Sequence, residues 1–194
     1  EFAADTDDCI LDITPQHHDQ IISDIASSGG QNNLGFTFGT GGRSGIGSTL
    51  LGQAKIVALI PQSWDLARKA DLSISDLSDK PLIGTFTGEP LGDAVEKLMR
   101  EAGLSTNYSI RAHTHSVAAT LVSKAVGATI IDSVTAHYAR ARMGSITFAI
   151  IPVSEAPVLP VTAVFSYEHP LSKHAKKLIQ IFRKNYRRLA EDVA

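Results

Sequence analysis

The hydrophobic positions along the chain alternate between short apolar runs and stretches with a helical period. The most apolar run, residues 54–61, predicts a strand that is buried on both of its faces. In the segment LGDAVEKLMREAG, the side chains of Leu91, Val95 and Leu98 recur on one helical face, and Gly103 is the predicted C-cap. These patterns therefore predict an α/β protein, in which buried strands alternate with amphipathic helices.

The same patterns predict the remaining elements. Strands are predicted at residues 9–13, 34–38, 81–86, 108–113, 128–131, 146–150 and 161–165. Helices are predicted from Pro15 onward, and over residues 116–127, 133–142 and 171–190. Because strands and helices alternate repeatedly along the chain, this order predicts parallel sheets flanked by helices.

Composition and charge narrow the class of protein. The chain has 194 residues, 43% hydrophobic and 20% charged, and its formal net charge is −2, so no overall excess of positive charge points to nucleic-acid binding. The single cysteine, Cys9, cannot form an internal disulfide and fits a reducing compartment. No apolar run approaches the roughly 20 residues that span a bilayer. We therefore expect a cytoplasmic protein that does not enter a membrane.

The motifs that carry chemistry are incomplete. The glycine-rich segment 39–48 lacks the lysine of a P-loop and the third glycine of a dinucleotide fingerprint, so it is interpreted as a flexible connection. The histidine pairs 17–18 and 113–115 do not converge into a metal site without partners from elsewhere. Ser44 does not lie in a nucleophile elbow. We expect no metal, no cofactor and no enzymatic activity.

The segment VGATIIDSVTAHYARAR, residues 126–142, contains an acid in an unexpected place. Asp132 ends an apolar strand where a helix begins, and this edge of an α/β sheet is where small ligands bind. Asp132 could hold a ligand, or it could only cap the helix, since aspartate is a preferred N-cap residue. The residues alone leave both alternatives open.

The order of these signals resembles a known family. The segment IVALIPQSWDLARKADLSISDLSDKPLIGTFTGEPLGDAVEKLMREAG resembles the middle of the effector-binding domain of LysR-type transcriptional regulators. THSVAATLVSKAVGATIIDSVTA and HPLSKHAKKLIQIF are similar to its next section and to its closing helix, so the resemblance extends from about Asp7 to the C-terminus. IIDSVTA is also similar to the VDP-TA motif of a subgroup that senses opines and amino-acid-like compounds, with Ser133 in place of proline.

The resemblance implies the domain organisation. It implies two Rossmann-like α/β lobes joined by two crossover strands, as in type 2 periplasmic binding proteins. Lobe one would contain residues 1–58 and 165–194, and lobe two residues 59–164. The family's N-terminal winged helix-turn-helix is absent from the sequence, and the first lobe begins late, so the chain is interpreted as a fragment. DNA would be bound only through the missing domain, and the family implies a homodimer or homotetramer.

The resemblance also implies a site between the lobes for a small, amino-acid-like or opine-like effector. Helix starts would bind its carboxylate and Asp132 its cationic group. The expected contact residues are His17, His18, Thr85, Thr87, Gly88, Thr114, His115, Ser116, Asp132 and Ser133. Ser116 and Asp132 are also good N-caps. A solute-binding protein of a transporter is the alternative with the same fold.

Overall fold

The computed structural model describes residues 10–27, 34–40, 42–85, 88–105, 108–144 and 147–191, with the side chains of 188–191 left out. In chain order the elements are α1 (His18–Ser27), β1 (Gly35–Phe38), β2 (Ile46–Ala54), β3 (Ile56–Pro61), β4 (Ile83–Gly84), α2 (Pro90–Glu101), β5 (Ile110–Arg111), α3 (His115–Ser123), β6 (Thr129–Asp132), α4 (Ser133–Met143), β7 (Phe148–Pro152), β8 (Leu159–Ser166) and α5 (Lys173–Glu191). Short 3-10 helices at Asp65–Arg68 and Ile74–Leu77 lie between β3 and β4.

The chain divides into two compact units. The first contains the residues up to Gln53 and those from Pro160 onward, and the second contains Ala54–Leu159. These divisions lie a few residues earlier in the chain than the boundaries expected from the sequence, 58/59 and 164/165.

The first unit is built on a three-stranded sheet in the order β1-β8-β2. β1 and β8 are antiparallel, with Gly35 opposite Val164. The buried face of α1 presents Ile22 and Ile25, which pack against Val164. The apolar period seen in the sequence of α1 therefore forms the contact that holds this helix on the sheet.

The second unit is centred on β3, of which all six residues are buried. β3 lies between β6 and β7 and is antiparallel to both. β4 pairs with β5 in parallel, and a parallel bridge joins Leu82 to Ala128. The expectation of parallel sheets is therefore wrong at β3, as it is for β1 and β8 in the first unit. Helical crossovers return the chain between β4, β5, β6 and β7, whereas β3 is followed by two 3-10 turns and runs in the opposite direction.

Two other predicted elements differ in the first unit. Residues 10–13 form no strand, and Ile10 and Ile13 are 96% and 75% exposed, while Cys9 lies outside the described residues. α1 begins at His18 rather than next to Pro15. An apolar sequence alone does not form a strand when no neighbouring strand satisfies the hydrogen bonds of its backbone.

Strand β2 was not predicted, because its first residues belong to the glycine-rich segment 39–48, which was interpreted as a flexible connection. A Cβ atom at Gly47 would lie 2.7 Å from the ring of Phe165, and one at Gly52 would lie 2.5 Å from the ring of Tyr186. Glycine is required at both positions by the close approach of an aromatic ring, not by a turn. Strands β4 and β5 are shorter than their predicted ranges, and Phe86 lies outside the described residues.

The core of the second unit forms where α3 and α4 cover the sheet. Most of its helical members are alanines, and Ala118, Ala119, Ala136 and Ala139 bring the helices close to the strands. The buried cluster comprises Val57, Leu59, Ile83, Ala112, Ala118, Ala119, Val122, Ile131, Ala136, Ala139 and Phe148. None of the described helices has the length and apolar character needed to cross a membrane.

Two neighbouring positions before β6 are expected to respond to mutation with opposite signs. A Cβ atom at Gly127 would lie 2.7 Å from the carbonyl oxygen of Pro81, which accepts the Ala128 N–H at 2.9 Å. Because backbone must move, Gly127→Ala should lower the free energy of unfolding by about 1–3 kcal/mol. Ala125 has φ 56°, so Ala125→Gly should raise it by about 1 kcal/mol. Urea unfolding measures both, and an unchanged midpoint for Gly127→Ala would contradict the close contact.

Candidate functional site

The starts of α3 and α4 meet at Asp132 in the second unit. α4 begins directly after Asp132, and α3 begins at His115, whose Nδ1 lies 3.6 Å from Asp132 Oδ2. Glu89 precedes α2, and its charge acts on the His115 ring. The region therefore combines the positive amino ends of α3 and α4 with the negative charges of Asp132 and Glu89, both of which act on the His115 ring.

Asp132 is a buried N-cap, and only one of its two carboxylate oxygens takes part in capping. Its Oδ1 accepts a hydrogen bond from Thr135 N at 2.8 Å, which caps α4. The residue is only 1% exposed, and within the described ranges its buried Oδ2 has no hydrogen-bond donor. The capping half of the sequence interpretation is confirmed by this geometry. The direct contact of Asp132 with a ligand stays a prediction.

The His115 ring lies beside the second carboxylate oxygen of Asp132, Oδ2. The His115 side chain is 28% exposed. Burial lowers the pKa of the His115 imidazole below its ordinary value of 6.5, while the negative charges of Asp132 and Glu89 act in the opposite direction. The lowered pKa makes the ring mainly neutral at neutral pH.

The amino end of α3 is more open than that of α4. Thr114, not Ser116, is the N-cap of α3, and its Oγ1 accepts a hydrogen bond from Val117 N at 3.2 Å. The N–H groups of His115 and Ser116 come before Val117, so they lie outside the intrahelical pattern and can bind an anion. At the start of α4, by contrast, the buried Ser133 donates its N–H to Lys55 O at 2.9 Å.

For the other residues expected at the site, contact with an effector stays a prediction. Gly88, with φ 82°, donates its N–H to Asp93 Oδ1 at 3.0 Å, and Thr87 lies outside the described residues. His17 and His18 belong to the first unit, where His18 Nδ1 lies 2.7 Å from Thr37 Oγ1. The structure therefore brings together Thr114, His115, Ser116, Asp132 and Ser133.

Thr85 lines a small pocket between α2 and the sheet. Glu96 and Tyr108 also line it. Burial raises the pKa of the Tyr108 hydroxyl, as does the charge of Glu96, while Arg111, 5.4 Å from the centre of the ring, acts against them.

Sequence reasoning missed Glu89. Its position after a strand and directly before Pro90 marks a helix start, which is the signal that could have pointed to it. Across the described part of the chain, no three His, Cys, Asp or Glu side chains are grouped so that they could hold a metal ion.

The titration of His115 predicts how stability depends on pH. The unfolded chain binds a proton at an ordinary histidine pKa of about 6.5, whereas the folded chain binds it only at lower pH. The free energy of unfolding should therefore fall as the pH decreases from about 6.5 to the folded pKa. Chemical unfolding between about pH 7.5 and 5.5 should show a shallower loss for His115→Gln than for the exposed control His113→Gln. Equal slopes would contradict this assignment.

An α/β fold with helix amino ends and a buried acid at one edge of a sheet is typical of a small-molecule-binding domain. The model of the LysR substrate binding domain family matches residues 2–187, so the chain belongs to this family. The family expected from the sequence is thereby confirmed, as is the α/β fold resembling that of periplasmic binding proteins.

The chain is similar to regulators and to solved effector-binding domains. It is 28% identical over 127 residues to the HTH-type transcriptional regulator DgcR from Pseudoalteromonas sp, covering 66% of this chain and 42% of DgcR. The regulatory domain of Synechocystis PCC6803 CcmR in complex with 2-PG has a TM-score of 0.76 at 13% identity, covering 90% of this chain and 82% of that one. The effector binding domain of QuiR in complex with shikimate has a TM-score of 0.69 at 17% identity, covering 88% and 78%. The chain spans about half the length of the curated relatives it matches.

Proposed function

We propose that this LysR-type domain senses a small amino-acid-like or opine-like effector, and that its second unit contributes the start of α3 together with Asp132 and Glu89. The main observation that supports this proposal is that the Asp132 carboxylate, which is 1% exposed, lies beside the open amino end of α3. Two similar domains are in complex with small molecules, shikimate and 2-PG, which supports small-molecule binding here.

The charges of this region suit an effector that carries both signs. The N–H groups of His115 and Ser116 favour a carboxylate, because they are first-turn donors at the positive end of the α3 dipole. Asp132 and Glu89 supply the negative charge that favours an ammonium or guanidinium group. A ligand with only one kind of charge would leave half of these groups without an opposite charge.

In the whole regulator, the effector would act by allostery. Its binding can shift an equilibrium between two arrangements only by the difference in its affinity for them. We propose that this shift passes through homodimer or homotetramer contacts to an N-terminal winged helix-turn-helix, which would bind the DNA. The curated relatives are HTH-type regulators, which favours this function over a transporter's solute-binding protein.

The experiment places a competing carboxylate at the start of α3. Ser116 is exposed, so Ser116→Glu should keep the fold, because an acid in the first turn of a helix is stabilising. The new charge should weaken binding of a carboxylate effector by about 1 kcal/mol, roughly fivefold. Calorimetric titration with amino acids and opines measures this, and the neutral Ser116→Gln serves as the matched control. Equal affinities for Ser116→Glu and Ser116→Gln would contradict carboxylate binding at α3.

A further inference from the structure

Asp132 Oδ2 is a buried polar atom that the fold does not explain. Capping of α4 needs only Oδ1, which accepts from Thr135 N at 2.8 Å. Oδ2 is buried without a hydrogen-bond donor in the part of the chain that the structure describes, and His115 Nδ1 lies 3.6 Å away, forming an ion pair with it only when the ring is protonated. Leaving a buried carboxylate oxygen without a donor is unfavourable, so a group that compensates for it is expected.

The position of the His115 ring indicates how the buried oxygen of Asp132 is compensated. Oδ2 is buried, so an effector group does not reach it directly in this arrangement, whereas the half-buried His115 ring lies 3.6 Å away at Nδ1. A carboxylate facing Nδ1 favours the tautomer with the proton on that nitrogen, and the opposite nitrogen, Nε2, then carries the lone pair. When Nε2 is protonated as well, the ring becomes a cation held by Asp132.

We propose that Asp132 is a positioning residue for effector recognition: its Oδ2 holds the Nδ1–H side of His115, and Nε2 of the same ring binds a carboxylate of the effector while taking up one proton from the solvent. This inference rests on the proposed function and deepens it. It replaces a direct contact between Asp132 and a cationic group with a contact made through His115.

The electrostatics of the free protein explain why the proton arrives with the effector. Burial outweighs the charges that face the ring, which are Asp132 at the end of β6 and Glu89 before α2, so the pKa stays below 6.5 and the ring is neutral near pH 7. A third carboxylate within about 4–6 Å of the imidazole would raise that pKa by about one unit or more. The bound carboxylate would also accept from the N–H groups at the start of α3.

The two roles for Asp132 differ in their proton balance. If Asp132 bound an ammonium group directly, the positive ligand would disfavour a proton on the neighbouring His115. If the effector's carboxylate binds His115, up to one proton enters the ring and affinity rises as the pH falls toward the pKa of the free protein, by at most about tenfold per pH unit.

The test follows the His115 ring by nitrogen-15 NMR in the whole 194-residue chain, with acetate as the carboxylate probe and methylammonium as the cation probe. Chloride at equal ionic strength is the reference, and His115→Gln assigns the signal. We expect the free protein to carry the proton on Nδ1. Acetate, extrapolated to saturation, should raise the His115 pKa by about one unit, and methylammonium should not raise it. Asp132→Asn should lower the pKa and change the tautomer.

Each of the following outcomes would contradict either this inference or the proposed function. A pKa that acetate leaves unchanged, or that shifts equally at the exposed His113, excludes a carboxylate site at His115. A tautomer and pKa unchanged in Asp132→Asn exclude the positioning role. If acetate acts on His115 but no amino acid or opine binds in calorimetry, the proposed function fails while this inference stands. If such an effector binds without proton uptake or any effect of acetate, the inference fails and the function stands.

Discussion

Replacing Phe148 with alanine is expected to lower the free energy of unfolding by about 3–5 kcal/mol. Phe148 is the first residue of β7, is 2% exposed and pairs with Pro61 of β3. Its ring belongs to the buried cluster that joins the sheet to α3 and α4. Alanine would remove that ring and leave a cavity. The cavity should stay open, because β6 and β7 are both held in place by their pairing with β3.

The matched control at this position is Phe148→Leu. Leucine keeps most of the apolar volume, so it should cost less than about 1.5 kcal/mol. Urea unfolding of both variants, followed by circular dichroism, gives the comparison. If alanine costs no more than leucine, the packing of Phe148 between the sheet and the two helices is contradicted.

Replacing Asp132 with asparagine is expected to weaken effector binding by about 1.5–3 kcal/mol, or roughly tenfold to more than a hundredfold. The change removes a charge that acts on the effector directly or through His115. The fold should be kept, because asparagine caps a helix about as well as aspartate and its oxygen can still accept from Thr135 N.

Asp132→Ala separates capping from recognition. Alanine removes the cap as well as the charge, so it should lower stability by roughly 1 kcal/mol, which the asparagine variant should not do. Calorimetric titration with amino acids and opines, together with thermal melts of both variants, measures the two effects. Unchanged affinity in Asp132→Asn would leave Asp132 with a structural role alone.

The elements that could be predicted are those with a strong local pattern. The apolar run of β3, the helical period of α2 and the strand–helix junction at Asp132 each depend on neighbouring residues. Strand β2 could not be predicted, since Gly47 and Gly52 are explained by rings that lie far along the chain. The direction of β3 depends on which strands flank it, and no local pattern contains that information.

Several residues of the candidate site could be named from the sequence, but Glu89 and the pairing of His115 with Asp132 could not. The position of Asp132 at the end of a strand predicted its capping role, and the resemblance supplied His115 and Ser116. The meeting of His115 with Asp132 Oδ2 depends on how α3 and α4 pack on the sheet, and the proximity of Glu89 depends on where α2 starts. These are long-range contacts. Burial of Asp132 is likewise a property of the assembled unit and not of the local segment.

One measurement tests the central claim most directly: titration calorimetry of the unmodified chain with amino acids and opines, each beside its methyl ester. If the domain recognises an amino-acid-like effector through its carboxylate, we expect one-to-one binding of at least one acid and at least about tenfold weaker binding of its ester, because the ester lacks the charge that the start of α3 and His115 receive. Absence of binding by every acid, or equal affinities for an acid and its ester, would contradict the claim.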